Sequence, residues 1–298
     1  MKLHFWLLLT LVACSSTPEK KKSIPPEKVT NEAFKKDKAL NSKDVPDFYN
    51  GKIQAINPAL QDETIDRFAA PELASMEQTT DPLLSIAINC LQGDFNQGFS
   101  IASKNFDKYQ KVAVYWNLIG NCHLNQGSHR KALLFYNKAL EVSANYVPAL
   151  NNIGVLYFRQ GQEQKALIAF ERASSHAKFA KTPRYNLAKL YLRFGLAESA
   201  LPLFQGLLSS APQDVDLLNA VASAYFLMSD YQRAQENFSR IPKEQWENPE
   251  IGLNLAMTLK KLGRNDEAKE VFSSVAKPKN GELKRYHAVI AAQLGEKS

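Results

Sequence analysis

Small and aromatic residues recur along the chain with a period of 34 residues from Thr79 to Glu282, without an insertion or deletion. One column holds a small residue and the column four residues later a mostly aromatic one. Small side chains let two helices approach closely, and a ring fills the space beside them. The pattern therefore predicts six helix hairpins. The small column is Gly98, Ala132, Ala166, Ala200, Ala234 and Ala268, and the second is Ala102, Tyr136, Phe170, Phe204, Phe238 and Phe272.

Two further columns follow the same period. A small residue on the first helix of each hairpin runs Gly120, Gly154, Ala188, Ala222 and Ala256. The turn between the helices holds Gly93, Gly127, Gly161, Gly195 and Gly263, with Ser229 as the single departure. Glycine permits the positive φ that ends a helix. Each unit is therefore expected to turn sharply at this column.

These columns, together with Trp116, Tyr157, Tyr191, Tyr225 and Pro212, resemble the tetratricopeptide repeat. The resemblance implies an all-α fold, a right-handed solenoid of helix hairpins whose first helices line a concave groove. The predicted units are 79–112, 113–146, 147–180, 181–214, 215–248 and 249–282.

Both ends of the array and its fifth unit depart from regularity. The first unit is degenerate, as expected of a terminal repeat. Pro242 falls where the second helix of the fifth unit should finish, so that helix is expected to end a turn early. Apolar residues at helical spacing predict an amphipathic capping helix over 283–298: Leu283, Tyr286, Ile290 and Leu294.

The first 13 residues have the pattern of a signal peptide: Lys2, an apolar run too short to span a bilayer, and a small-residue cleavage site. The sequence Leu11-Val12-Ala13-Cys14 resembles a bacterial lipobox, which implies a lipidated Cys14 as the mature N-terminus. An ordinary secretory peptide or a short membrane anchor is the alternative. Ser15, where inner-membrane lipoproteins tend to carry Asp, implies the outer membrane with the protein on its periplasmic face.

Residues 14–78 are expected to form a lipid-anchored, mostly flexible tether. Up to Asp44 this stretch is too poor in apolar residues to offset its ordering entropy. Near its end, Ile65, Phe68, Leu73 and Met76 predict a short helix over 62–77 that docks on the first unit.

The formal net charge of +7 resides on the repeats, because the tether is nearly balanced. A basic array is compatible with an acidic peptide, an anionic glycan or lipid headgroups as a ligand, and equally with charge that only keeps the protein soluble. Nucleic acid is not expected, since no dense cluster of Lys and Arg occurs.

Cys90 and Cys122 lie on the first helices of neighbouring units and face one another approximately. Neighbouring helix axes usually lie 8 to 10 Å apart, whereas a disulfide needs Cα atoms within about 7 Å of each other. Two buried thiols are therefore favoured over a disulfide. His123 stands in a column that elsewhere holds Tyr, and is expected to be a packing residue. Without a catalytic motif or a metal-ligand spacing, an enzyme is not expected, nor is a cofactor, a metal or a small-molecule substrate.

The candidate binding residues are polar groups on the first helices. Asn recurs at or next to the fifth position of the unit, as Asn117, Asn151, Asn219 and Asn254, with Leu83 and Tyr185 at the other equivalents. A ladder of such amides is able to bind a peptide backbone, or alternatively only links adjacent helices. Around it stand Asn121, Arg159, Lys189, Arg193 and Lys260.

The groove only partly resembles the carboxylate clamp of chaperone-binding family members. Asn121 and Asn151 match its asparagines and Lys189 its arginine, but Asn117 and Tyr185 replace its lysines. The hypothesis is a lipid-anchored scaffold that binds a protein segment and supports assembly or localisation of an envelope machine, such as a type IV pilus secretin or a gliding-motility complex. The alternative is an adaptor that recruits or activates a cell-wall enzyme or a protease.

Overall fold

The computed structural model describes residues 80–177, 180–278 and 281–296, without the side chain of Glu282. It confirms the all-α solenoid, and the described residues contain no strand. Each unit contributes a first and a second helix. The first helices are α1 Pro82–Leu91, α4 Ala113–Asn125, α6 Val147–Arg159, α8 Lys181–Arg193, α10 Val215–Leu227 and α12 Pro249–Lys261. The second helices are α2 Phe95–Lys104, α5 His129–Val142, α7 Glu163–His176, α9 Ala197–Leu208, α11 Tyr231–Phe238 and α13 Asn265–Ser274.

In units 2 and 3 the close approach of the two helices requires the glycine of the first-helix column, whereas units 4 to 6 hold alanine there. A Cβ added to Gly154 would lie 2.5 Å from a ring carbon of Phe170, a fully buried side chain. The hairpin turn requires glycine for a different reason, since Gly161 has a φ of 70°. Ser229 takes the same left-handed conformation, with a φ of 62°, although serine adopts it less readily. The turn therefore holds its shape even where its residue is unfavourable.

The fifth unit has the shortened second helix predicted from Pro242. Helix α11 has eight residues, against 12 in α9, and is followed by a single 3₁₀ turn, Lys243–Gln245. Trp246 then packs partly against the core and donates its indole N–H to the carbonyl oxygen of Ile241 at 3.1 Å. Gly252 lies against the main chain of Trp246, where a Cβ would clash with the carbonyl group.

The hydrophobic core consists of two large clusters that meet at α8. Leu187 and Leu190 pack into the cluster of units 1 to 3, whereas Ala188 and Leu192 on the same helix pack into the cluster of units 4 to 6. Helix α8 thus contributes buried side chains to both hydrophobic clusters.

Cys90 and Cys122 form a disulfide between α1 and α4, so the expectation of two buried thiols was wrong. Their Cα atoms are 4.9 Å apart, much closer than the usual separation of helix axes, because the two cysteines lie on facing surfaces at the point of closest approach. Gly98 on α2 makes room for the bridge, since a Cβ there would lie 2.5 Å from the sulfur of Cys90.

Helix α14, Gly281–Leu294, confirms the capping helix and begins two residues before its predicted start. It packs against the last unit with four buried residues of the predicted face: Leu283, Tyr286, Ile290 and Leu294. Two short elements complete the described chain, the one-turn helix α3, Phe106–Tyr109, and the 3₁₀ turn of unit 5.

The signal peptide, Cys14, the tether and the docking helix over 62–77 lie outside the described residues. Within the described part of the chain, no helix combines the length and the apolar character needed to cross a membrane.

Candidate functional site

A chain of hydrogen-bonded amides crosses the first helices of units 2 to 4. Asn186 on α8 donates to Asn151 on α6 at 2.8 Å, and Asn151 donates to its neighbour Asn152 at 3.1 Å. Asn152 donates in turn to Asn117 and Asn121 on α4, at 3.1 and 2.8 Å. The name asparagine spine is used below for these five residues, all of which are buried.

The spine satisfies buried amides through one another across the unit boundaries. Asn117 and Asn151 are both 0 % exposed. Asn121 also accepts a hydrogen bond from the hydroxyl group of Tyr136 on α5 at 2.9 Å. Buried polar groups are stabilising only when they are paired, so the spine fixes the stacking of α4, α6 and α8. At Asn117, Asn121 and Asn151 the geometry favours the packing alternative over direct ligand contact.

The asparagines of units 5 and 6 are less well paired. Asn254 lies one position beyond the fifth column, at the position of Asn152 and Asn186, and donates to the Ser223 hydroxyl at 3.4 Å. The side-chain oxygens of Asn219 and Asn254 are buried and have no hydrogen-bond partner among the described residues. No asparagine links unit 4 to unit 5, because Tyr185 and Ala220 take the places that asparagines hold between units 3 and 4.

The remaining predicted site residues have different environments. Tyr185 is a core residue that packs edge-on against Phe204. Arg193 pairs with Glu163 at 2.6 Å and lies over the ring of Phe158, which ties α8 to the hairpin of unit 3.

Three cations complete the predicted set. Lys260 donates to the main-chain oxygen of Gln293 in the capping helix. Lys189 is half-buried and Arg159 is exposed at the end of α6. Because these two cations reach the surface formed by the first helices, the first-helix face, they are the members of the predicted set best placed to meet a ligand there.

Asn152 and Asn186 are central to this arrangement, although they are not among the binding residues predicted from the sequence. They are 34 residues apart, so the period contained the signal. At the sixth position of units 3, 4 and 6, an asparagine connects the first helix to the one before it.

His123 is a packing residue, as predicted. Its ring lies between those of Phe99 and Phe135, with centroids 4.5 and 5.2 Å away. Burial lowers the pKa of His123 below its ordinary value, and the nearby charge of Lys131 lowers it further, against a hydrogen bond with Gln126 that raises it. Among the residues that the structure describes, no three His, Cys, Asp or Glu side chains are grouped so as to hold a metal ion.

Family models of the tetratricopeptide repeat match residues 113–146 and 147–175, 185–249, and 225–292. Together they cover more than half of the chain. No curated protein sequence matched significantly.

Several solved structures resemble the fold at low sequence identity. The peptide-binding tetratricopeptide-repeat protein YrrB is 17 % identical with a TM-score of 0.54, over 64 % of this chain and 96 % of YrrB. The Cut9–Hcn1 hetero-tetramer of APC/C is 19 % identical with a TM-score of 0.56, over 72 % of this chain but only 43 % of that one. MamA from Desulfovibrio magneticus RS-1 is 20 % identical with a TM-score of 0.50, over 58 % of this chain and 95 % of the MamA chain. At these identities the likeness concerns the fold. The repeat columns, the paired helices and the family matches together show that the chain belongs to the tetratricopeptide-repeat family.

Proposed function

We propose that this protein is a lipid-anchored scaffold on the periplasmic face of the outer membrane, which holds a segment of a partner protein on its first-helix face. The observation that carries the proposal is the presence of Arg159 and Lys189 on that face. Arg159 is exposed and Lys189 is half-buried, so both side chains reach solvent. Cations in such a position suit a partner with acidic side chains or a terminal carboxylate.

The disulfide supports the proposed location. Disulfides persist in secreted and periplasmic proteins and are rare in the reducing cytosol. Cys90 and Cys122 are the two cysteines that follow Cys14, so a lipidated Cys14 would leave no unpaired thiol in the chain. This cysteine usage agrees with export followed by lipidation.

The known peptide-binding protein YrrB has the same fold, which makes peptide binding a reasonable expectation for the array. The partner proposed here belongs to an envelope machine, a type IV pilus secretin or a gliding-motility complex, which the anchored array would help to assemble or localise. Deletion of the protein should mislocalise that complex. Normal assembly in the deletion strain would exclude this role.

The anchor has its own test. Cys14→Ser should abolish labelling with radioactive palmitate and release the protein from outer-membrane fractions. A matched Ser15→Ala variant should stay labelled and anchored, because it leaves the acylated residue in place. Retention of the Cys14→Ser protein in the membrane fraction would contradict lipid anchoring.

A further inference from the structure

Three apolar side chains form an exposed row across the second helices of units 2 to 4. Leu134 on α5 and Ile168 on α7 occupy the same position of successive units and are 55 and 51 % exposed. Pro202 on α9 takes that position in unit 4 and is also exposed. A surface helix normally turns polar side chains toward water, and the other units hold Ser100, Glu236 and Glu270 here. The name second-helix row is used below for Leu134, Ile168 and Pro202.

Basic side chains flank the row on both sides at α5 and α7. Arg130, Lys131 and Lys138 lie three or four residues from Leu134 and therefore on the same face of α5. On α7, Lys165 and Arg172 lie at the equivalent distances from Ile168.

The same face carries fewer acidic groups. Three glutamates, Glu141, Glu171 and Glu198, accompany the five cations, so the face keeps a positive balance that comes from α5 and α7. Lys138 is partly neutralised by Glu141 at 3.3 Å, and the ammonium group of Lys165 lies 5.4 Å from the ring centre of Tyr157.

We propose that the second-helix row is a docking surface for an acidic amphipathic helix of a partner protein. The row crosses α5, α7 and α9, so one helix laid across the array can touch all three apolar side chains with a single apolar stripe. Acidic residues on both sides of that stripe would meet the flanking cations. This surface lies on the second helices, so it is independent of the first-helix face.

A helix fits this face better than a membrane does. Glu141 and Glu171 are exposed on it and would repel anionic headgroups. Three apolar side chains also provide little area for insertion into lipid. A peptide helix can place its carboxylates beside the lysines and leave the glutamates in water.

Photo-cross-linking of the full-length protein in its native cells tests the proposal. The cross-linking amino acid p-benzoylphenylalanine replaces Ile168, and in a matched control replaces Glu270, which holds the same position in unit 6. Position 168 should give an adduct that maps to an acidic, amphipathic segment of another protein, whereas position 270 should give about tenfold less.

Variants of the same experiment distinguish docking on this surface from nonspecific hydrophobic binding. With the cross-linker at 168, Leu134→Ser should lower the adduct yield about tenfold, because it removes one of the apolar anchors. Leu196→Ser, a change at an exposed leucine outside the row, should leave the yield unchanged. Charge reversal by Lys131→Glu with Lys165→Glu should lower it about fivefold.

Four outcomes would overturn the proposal: adducts with lipid, adducts with a second copy of this chain, adducts that map to a segment without acidic residues, or equal yields at positions 168 and 270.

Discussion

At the scale of single residues, the asparagine spine explains why polar side chains occupy positions that face neighbouring helices. Asn152 is its most connected member, since its amide nitrogen serves two acceptors on α4 and its oxygen accepts from Asn151. Removal of one partner from a buried network leaves the others unsatisfied, which costs more than the net value of the lost bonds. The residues of the spine therefore matter for stability before they matter for binding.

Asn152→Ala should lower the free energy of unfolding by about 2 kcal/mol or more, because it deprives Asn117 and Asn121 of a donor. The midpoint of urea denaturation measures this change. The control is Asn125→Ala at an exposed position near the end of α4, expected to change stability by no more than about 0.5 kcal/mol. Equal midpoints for the two variants would show that the spine carries no stability.

Ser229→Gly should raise the free energy of unfolding by about 0.5–1 kcal/mol, because serine at a φ of 62° has a steric cost that glycine lacks. Gly161→Ser, at the same turn position two units earlier, should lower it by a similar amount. Thermal midpoints of the two variants test this pair. A loss of stability in Ser229→Gly would mean that the serine makes a compensating contact.

The stability of the protein should fall as the pH drops below the ordinary histidine value of 6.5. Burial lowers the pKa of His123, so the unfolded chain takes up a proton in a pH range where the folded state does not. The contribution of the neutral His123 side chain to stability is therefore complete above pH 6.5. It is lost as the pH falls toward the lowered pKa of the folded state. His123→Tyr, which restores the side chain of its column, should reduce this pH dependence.

His176 and His287, whose pKa values are also lowered by burial, should keep part of the pH dependence in the His123→Tyr protein. Urea denaturation at several pH values between about 5 and 8 measures the effect. Identical pH profiles of wild type and variant would contradict the assignment to His123.

At the scale of helices, the fixed columns could be read from the sequence because they are set by contacts within one unit. The contact of a small residue with an aromatic ring, as at Gly154 and Phe170, lies within one hairpin and so does not depend on how neighbouring units stack. The shortened α11 followed from Pro242 for the same reason. The capping helix followed from its own apolar periodicity.

The spine and the disulfide were harder to foresee, because each depends on how closely two units stack. The repeat pattern predicts Asn117 and Asn151 on an open groove, whereas the stacking of α4, α6 and α8 buries them completely. The average spacing of helices predicts two separate thiols at Cys90 and Cys122, whereas a local approach brings their Cα atoms to 4.9 Å. Sequence separations do not contain these distances.

The disulfide should stabilise the first hairpin most, because it ties α1 of a degenerate unit to α4. Cys90→Ser with Cys122→Ser should lower the free energy of unfolding by about 3–4 kcal/mol, since the bridge closes a loop with a sequence separation of 32 residues. Hydrogen exchange should show loss of protection in α1 and α2 before α8 and α10. Uniform loss along the array would contradict a local role for the bridge.

At the scale of the whole molecule, the array has two cores joined through α8 and two faces of different character. The first-helix face presents Arg159 and Lys189 beside a buried polar spine. The second helices present an apolar row with basic flanks. Because each unit contacts mainly its neighbours, a repeat protein can bind partners on both faces without a change in fold.

Quantitative co-purification from detergent-solubilised envelopes tests whether the first-helix face binds a partner through its cations. Full-length wild type is compared with Arg159→Glu combined with Lys189→Glu. The charge-matched control is Lys284→Glu combined with Arg285→Glu, on the exposed side of the capping helix. An envelope protein should co-purify with wild type and with the control, and its recovery per folded protein should fall about tenfold with the double variant. Equal recovery of that protein with all three forms would contradict this mode of binding.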